Sequence, residues 1–306
     1  MARAVQFDSY GDIDVLHVAE VPLPVPTDGE VVVAVRAAGI NPGEAAIRKG
    51  LFDNGSGGAF PSGQGSDLAG VVSAVGPGVT SLAVGDEVLG WSWRRSSQAD
   101  YVQVPANQLI AKPAALSWEA AGALYVVGAT AFAAVRAVDP QPGETVVVSG
   151  AAGGVGTLVV QLLELRGVTV VGIAGAANHA WLESHGVRPV PYGDDLLSRV
   201  REAAGGRVDA LIDLFGPEYI QLALDLQVPR DRIETIISFA AAQEFGTKAE
   251  GSSDGTSVEV LAEMADLVAS GRVELPIAAS YPLEAVQEAY TELEKRHTRG
   301  KIVLVP

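Results

Sequence analysis

At 306 residues, with 48% apolar side chains and no cysteine, the chain is long enough for two domains with substantial cores and is excluded from disulfide, thiol-nucleophile and thiolate-zinc chemistry. A formal net charge of −16 argues against nucleic acid or an anionic membrane as a partner, since both require a basic surface. No apolar run reaches the ~18 residues of a membrane span, and Met1-Ala2-Arg3-Ala4 enters a strand pattern without a signal-peptide core, so a cytoplasmic protein is expected.

Residues 1 to 118 read as short strands between Gly, Pro and Asp turns: Ala2 to Phe7, Val15 to Val21, Glu30 to Ala38, Gly70 to Val75, Glu87 to Gly90 and Tyr101 to Val104. Long crossovers are lacking, which predicts an antiparallel, barrel-like β domain. Asn41-Pro42 turns the chain after the third strand, and Asp53 to Gly58 reads as a flexible loop. Trp91 and Trp93, beside Arg94-Arg95, either wall a substrate entrance or staple a domain interface. His17, His179, His185 and His297 lack metal-ligand spacing, so no metal site is expected.

From Trp118 helix and strand alternate. Helical patterns over Ser117 to Ala137, Thr157 to Arg166, Asn178 to His185, Asp195 to Ala204 and Pro217 to Leu226 separate strands near residues 144, 168, 208 and 232, which predicts a doubly wound parallel sheet. After the first of these strands comes Gly150-Ala151-Ala152-Gly153-Gly154-Val155-Gly156. Gly150, Gly153 and Gly156 suit a tight turn, close backbone approach to a pyrophosphate and close helix-to-strand packing. Gly154 and Val155 open a helix whose unpaired N–H groups and dipole favour an anion. The pattern predicts a dinucleotide site, the alternative being a tight βαβ turn that binds nothing.

The second strand of this half ends at Gly172-Ile173-Ala174-Gly175, and no acid follows until Glu183. A carboxylate there would hold the ribose hydroxyls of NAD and repel a 2′-phosphate, so its absence favours NADP(H). No Arg or Lys lies between Gly167 and Val187, which leaves Asn178, His179 and Tyr192 as neutral donors, with Gly175 among the cofactor-binding candidates. Thr130 is a candidate contact for the nicotinamide edge, or a helix-packing residue. Phe215 and Phe239 follow apolar strands whose carboxyl ends line a ligand crevice, with core packing as the alternative. A helix at Ser257 to Ser270, a strand at Arg272 to Ile277, a helix at Leu283 to Arg296 and a strand at Lys301 to Val305 either close the parallel sheet or return to the first domain.

Taken together, the chain resembles the medium-chain dehydrogenase/reductase superfamily, in its zinc-independent, quinone-oxidoreductase-like branch. The resemblance rests on Ala38-Gly39-Ile40-Asn41-Pro42 with Ile47-Arg48-Lys49-Gly50, on Gly65-Ser66-Asp67-Leu68-Ala69-Gly70-Val71-Val72 with Gly85-Asp86-Glu87-Val88, on Thr130-Ala131, and on Tyr281-Pro282-Leu283 with His297-Thr298-Arg299-Gly300-Lys301-Ile302-Val303-Leu304. It implies a GroES-like β-barrel catalytic domain over 1–118, completed by 256–306, and a Rossmann nucleotide-binding domain over 119–255, with a cofactor cleft at their junction. It also implies NADPH, with Lys301 among the cofactor-binding residues, homodimerisation through the Rossmann sheet edge, and reduction of quinones or other conjugated carbonyls.

Zinc-dependent relatives carry a Cys and a His-Glu where this chain has neither, so Lewis-acid polarisation of an alcohol is not expected. Hydride must then go to an acceptor that is already electron-poor, a quinone or an α,β-unsaturated carbonyl. Asn41 is the candidate catalytic amide that orients substrate or the nicotinamide ribose. The tyrosine that many relatives carry shortly after Asn-Pro is absent from Gly43-Glu44-Ala45-Ala46, leaving Glu44, Tyr125 or water as the proton source. The readings are an NADPH-dependent quinone or enone reductase, an enoyl or tailoring reductase of a biosynthetic pathway, and a nucleotide-binding protein without turnover.

Overall fold

The computed structural model describes residues 1–52 and 59–306; the loop read over Asp53 to Gly58 lies outside the described residues. Two compact units divide the chain: Met1–Val126 with Leu261–Arg272 and Ile277–Pro306, and Val127–Val260 with Val273–Pro276. The first unit opens with β1 (Ala2–Phe7), β2 (His17–Val21), β3 (Glu30–Gly39), α1 (Pro42–Arg48), β4 (Ser62–Gly63), β5 (Asp67–Val75), β6 (Glu87–Trp91), β7 (Tyr101–Pro105), β8 (Leu109–Ala111) and α2 (Trp118–Gly122). α3 (Leu124–Val138) leads into β9 (Thr145–Ser149), α4 (Gly154–Glu164), β10 (Thr169–Ile173), α5 (His179–Ser184), β11 (Arg188–Val190), α6 (Leu196–Ala203), β12 (Ala210–Asp213), α7 (Glu218–Asp225), β13 (Ile233–Thr235), α8 (Phe239–Phe245) and α9 (Ser252–Gly255). After α10 (Val258–Ala269) the chain returns to the first unit through β14 (Ile277–Pro282), α11 (Val286–Glu294) and β15 (Lys301–Val305).

In the first unit a seven-stranded sheet runs β14-β15-β3-β5-β6-β8, with β7 also on β3, and a three-stranded sheet runs β2-β1-β4. Pairing is antiparallel except between β14 and β15, and β15 joins the sheet through Val303 opposite Gly39 and Leu304 opposite Ala38. Period-two alternation in Tyr101-Val102-Gln103-Val104 sends the valines into a core with Val31, Val33, Leu68, Val72 and Val88. Each fully buried aliphatic side chain of this kind stabilises the fold by about 1.5–3 kcal/mol. A second core packs Val5, Phe7, Leu16 and Ile40 against Tyr290 and Leu304.

The second unit is a parallel sheet in the order β11-β10-β9-β12-β13, the Rossmann arrangement in which strand order reverses beside β9. The central strands β9 and β10 carry near-continuous apolar runs, as strands covered by helices on both faces do. Val147, Val171, Ile173, Leu211 and Ile233 pack there with Ile220 and Leu222 of α7. The fold class is therefore α/β, a Rossmann domain together with a GroES-like domain.

Three elements differ from the sequence reading. The helix expected over Ser117 to Ala137 is two helices, broken at Ala123; α2 packs so close to β3 that a Cβ on Gly122 would stand 2.4 Å from the Ala37 carbonyl oxygen. The strand expected over Arg272 to Ile277 starts only at Ile277. Glu274 uses its backbone on the Gln161 side chain, donating N–H to Oε1 at 2.7 Å and accepting Nε2 at 2.8 Å, and Pro276 has no N–H for a ladder. Asn41-Pro42 does not merely turn the chain: it starts α1, with Pro42 in the first helical turn and Glu44 accepting the Asn41 N–H at 3.0 Å.

Candidate active site

In the second unit, β9 runs into a glycine turn in which Gly150 has φ +58, a left-handed conformation that glycine adopts without strain. The Gly153 N–H closes the turn on the Gly150 carbonyl at 2.9 Å, and Ala151 N–H ties it to Ile173 O at the end of β10. A Cβ on Gly156 would stand 2.2 Å from Gly150 O, so only glycine lets α4 start this close to the strand. Gly153, Gly154 and Val155 remain half-buried at the mouth of α4. The N–H groups of its first turn have no acceptor within the helix, an arrangement that favours an anion.

Beyond β10 the structure brings together the residues expected around a 2′-phosphate. Gly175 begins a 3₁₀ turn through Asn178, whose N–H donates to Gly175 O at 2.9 Å. The Tyr192 ring, 53% exposed, lies 3.6 Å from the place a Cβ on Gly175 would take. His179 turns inward instead, with Nε2 3.2 Å from Ala174 O. Outside the 167–187 window, Arg199 of α6 donates from Nη2 to the carbonyl of Pro191, the residue before Tyr192, at 3.0 Å. The sequence places Arg199 in the Asp195 to Ala204 helical pattern but gives no sign of its bond to the chain beside Tyr192. Phe215 lies half-buried after β12 with its ring edge-on to Tyr219, Phe239 is 44% exposed at the start of α8, and Thr130 is buried within α3.

Asn41 and Lys301 belong to the first unit, in a buried polar centre. Asn41 Nδ2 donates to Asp67 Oδ2 at 3.0 Å and to Glu44 Oε1 at 3.3 Å, while Asn41 Oδ1 accepts from Lys301 Nζ at 2.6 Å. Lys301 Nζ also donates to Ile40 O at 2.8 Å and Asp67 Oδ2 at 3.3 Å. These acceptors engage all three ammonium hydrogens. Lys301, grouped on sequence with the cofactor-binding residues, is here the counterion of the Asn41–Asp67 pair. Asp67 Oδ1 further accepts the Val126 N–H at 2.7 Å.

Glu44 is wholly enclosed and accepts from the Asn41 and Ser66 backbone, Gln98 Nε2 and the Tyr290 hydroxyl, the last at 2.8 Å. Burial, and then the Asp67 charge, push its carboxyl above the ordinary range against the pull of Lys301 and Tyr290. Burial and the neighbouring Glu44 hold the Tyr290 phenol well above its usual value. Beside this centre, Tyr125 stacks on Trp91 with centroids 4.9 Å apart and meets Trp93 edge-on at 6.3 Å. Trp93 is 49% exposed and Trp91 is buried.

A GroES-like domain paired with a Rossmann domain that carries this glycine turn is the architecture of a two-domain dehydrogenase. Family models match as an alcohol dehydrogenase GroES-like domain over residues 27–114 and as a zinc-binding dehydrogenase over residues 188–304. The chain is 28% identical to quinone oxidoreductase 1 of Escherichia coli (strain K12), covering 100% of both chains. Among solved structures it is similar to the quinone oxidoreductase from Coxiella burnetii, with a TM-score of 0.90 at 28% identity over 100% of this chain and 99% of that one. It is also similar to the Escherichia coli quinone oxidoreductase complexed with NADPH, with a TM-score of 0.85 at 26% identity over 100% of both. The chain belongs to the medium-chain dehydrogenase/reductase superfamily, in its quinone oxidoreductase-like branch.

The zinc in the second family description does not fit the donors present. The sequence has no cysteine, and among the described residues no group of three or more His, Cys, Asp or Glu side chains is placed to hold a metal ion. No helix among the described residues is long and apolar enough to cross a membrane.

Proposed function

We propose that this chain is an NADPH-dependent oxidoreductase that transfers hydride to a quinone or an α,β-unsaturated carbonyl without zinc. The observation that carries the reading is the glycine turn at the point where strand order reverses, with Gly156 held against the Gly150 carbonyl and the mouth of α4 open to an anion. The similarity to a quinone oxidoreductase solved with NADPH supports it.

The residues of the second unit fit such a cofactor. The N–H groups of Gly154, Val155 and Gly156 would hold the pyrophosphate, and Asn178, Tyr192 and Arg199 would take the 2′-phosphate where no carboxylate opposes it. Thr130, Phe215 and Phe239 are the cofactor-facing residues of the reading. When bound, the reduced nicotinamide supplies the hydride. Asn41 is oriented by Lys301 and Asp67, and both its amide hydrogens already face carboxylates. It is therefore left as an acceptor, through the remaining lone pair of Oδ1, for a hydroxyl such as that of the reduced quinone. Glu44 and Tyr290 are sealed against each other and Tyr125 is buried under Trp91, so the proton for the reduced acceptor comes from solvent.

Parallel fluorescence titrations with NADPH and NADH, followed by oxidation of the tighter binder with 1,4-benzoquinone and with an enone, test the proposal. Tighter NADPH binding with turnover is expected. Binding of neither nucleotide would make the glycine turn purely structural and overturn the assignment.

A further inference from the structure

At the place where strand order reverses, one buried carboxylate ties three strand ends together. Asp213, the last residue of β12, is fully buried, and the donors that meet it are all neutral. Its Oδ1 accepts from Ser149 Oγ at 2.8 Å, from Phe215 N at 2.9 Å and from Gly216 N at 3.0 Å. Its Oδ2 accepts from Thr235 Oγ1 at 2.7 Å and from Ser238 Oγ at 3.1 Å. The hydroxyls extend the tie into the main chain: Ser149 Oγ accepts Leu214 N at 2.9 Å, and Thr235 Oγ1 accepts Ser238 N at 3.0 Å and Ile237 N at 3.3 Å. Ser149 closes β9 immediately before the glycine turn, and Thr235 closes β13.

A buried charge with no cation beside it is costly, and an aliphatic residue would fill the same volume without that cost. What the carboxylate provides is acceptor capacity: two oxygens with about four lone-pair sites and no hydrogen. An asparagine there would present an NH2 group to two hydroxyls and accept only through its single oxygen. The connections so fixed, 214–216 and 236–238, leave β12 and β13 at their carboxyl ends, where ligands of such sheets bind. Ile237 and Phe239 stay 43% and 44% exposed there, although the atoms behind them are buried. The position that discriminates the adenosine ribose lies on the other side of β9, after β10, so this side receives the other mononucleotide half.

We infer that Asp213 is a positioning residue for the nicotinamide half of the crevice, acting through the Phe215–Gly216 turn and the Ser238–Phe239 step. The inference rests on the nucleotide reading above and adds a division of labour: the glycine turn and the Tyr192 region hold the adenosine half, and the Asp213 tie shapes the wall met by the nicotinamide half.

The test compares wild-type protein with Asp213→Asn, titrating each with NADPH and with adenosine 2′,5′-bisphosphate as the adenosine-half probe, and records nicotinamide fluorescence on binding. The expected result is about a tenfold loss of NADPH affinity and loss of the bound-state fluorescence change, with affinity for the bisphosphate unaltered within about twofold. Thr235→Val, which strips one hydroxyl from the tie, gives a shift in the same direction of about threefold and serves if the asparagine variant does not fold. Equal weakening of both ligands, or of neither, overturns the inference alone. Wild-type protein that binds neither ligand overturns the nucleotide reading and this inference with it.

Discussion

The two units each bury carboxylates, and they neutralise them by different means. In the first, Asp67 and Glu44 share one counterion, Lys301, with Asn41 bridging all three. In the second, Asp213 has five neutral donors and, among the described residues, no cation partner. A centre built on a single ammonium is lost when that ammonium is lost. A centre spread over five dipoles weakens by degrees.

The sharpest way to break this contrast is Lys301→Met, which leaves two buried acids without a counterion. It is expected to cost about 3–5 kcal/mol, read as a shift in the denaturant midpoint. Asp213→Asn, which keeps one accepting oxygen, should cost about 1–3 kcal/mol in the same assay. Equal losses in the two variants would mean that the ammonium has no special weight.

Glu234, on the strand next to Asp213, sharpens the comparison because among the described residues it forms no ion pair, feeling Lys248 only as a nearby charge, and it lacks a full set of donors. Glu250 N–H reaches Oε1 at 2.6 Å, but Oε2 is buried without a partner among the described residues. Burial pushes this carboxyl from 4.5 up to about 8, against the Glu250 N–H, which favours the ionised form. Between those values the folded state holds a proton that the unfolded state has lost, so stability falls as pH rises across the window. Glu234→Gln should flatten that slope and become progressively more stable than wild type from about pH 5 to 9 in urea melts. Parallel pH profiles would show that Glu234 ionises normally. The smallest effect concerns selectivity: Arg199→Ala should weaken NADPH about tenfold and leave NADH unchanged, so an equal loss for both would remove Arg199 from the 2′-phosphate site.

Local chemistry was readable in the sequence where it is written within a few residues. The glycine turn, the strands that flank it and the missing acid after β10 all fall in one stretch, and the family motifs are short. The box formed by Asn41 and Glu44 was equally local, yet Asn41-Pro42 reads first as a turn unless the Glu two residues after the proline is weighed as a partner for the cap. What stayed illegible is the polar wiring. Asp213 meets Ser149 across 64 residues, and Lys301 meets Asp67 across 234. No periodicity reports such a pairing, because each member looks like an ordinary strand residue until the sheet places them together. Arg199 escaped because a helix, not the loop after β10, delivers it. The shifted start of β14 has a similar origin, in the grip of Gln161 on Glu274.

The pairing of β15 with β3 also orders events during synthesis. The parallel sheet of the second unit draws only on segments up to Pro276, so it can be complete while the chain is still growing. The first-made strands cannot complete theirs: β3 awaits Val303 and Leu304, and Asn41 awaits a lysine 260 residues further on. The half that leaves the ribosome first is the half that finishes last, and until then its strand edges and buried acids depend on the folding environment for protection.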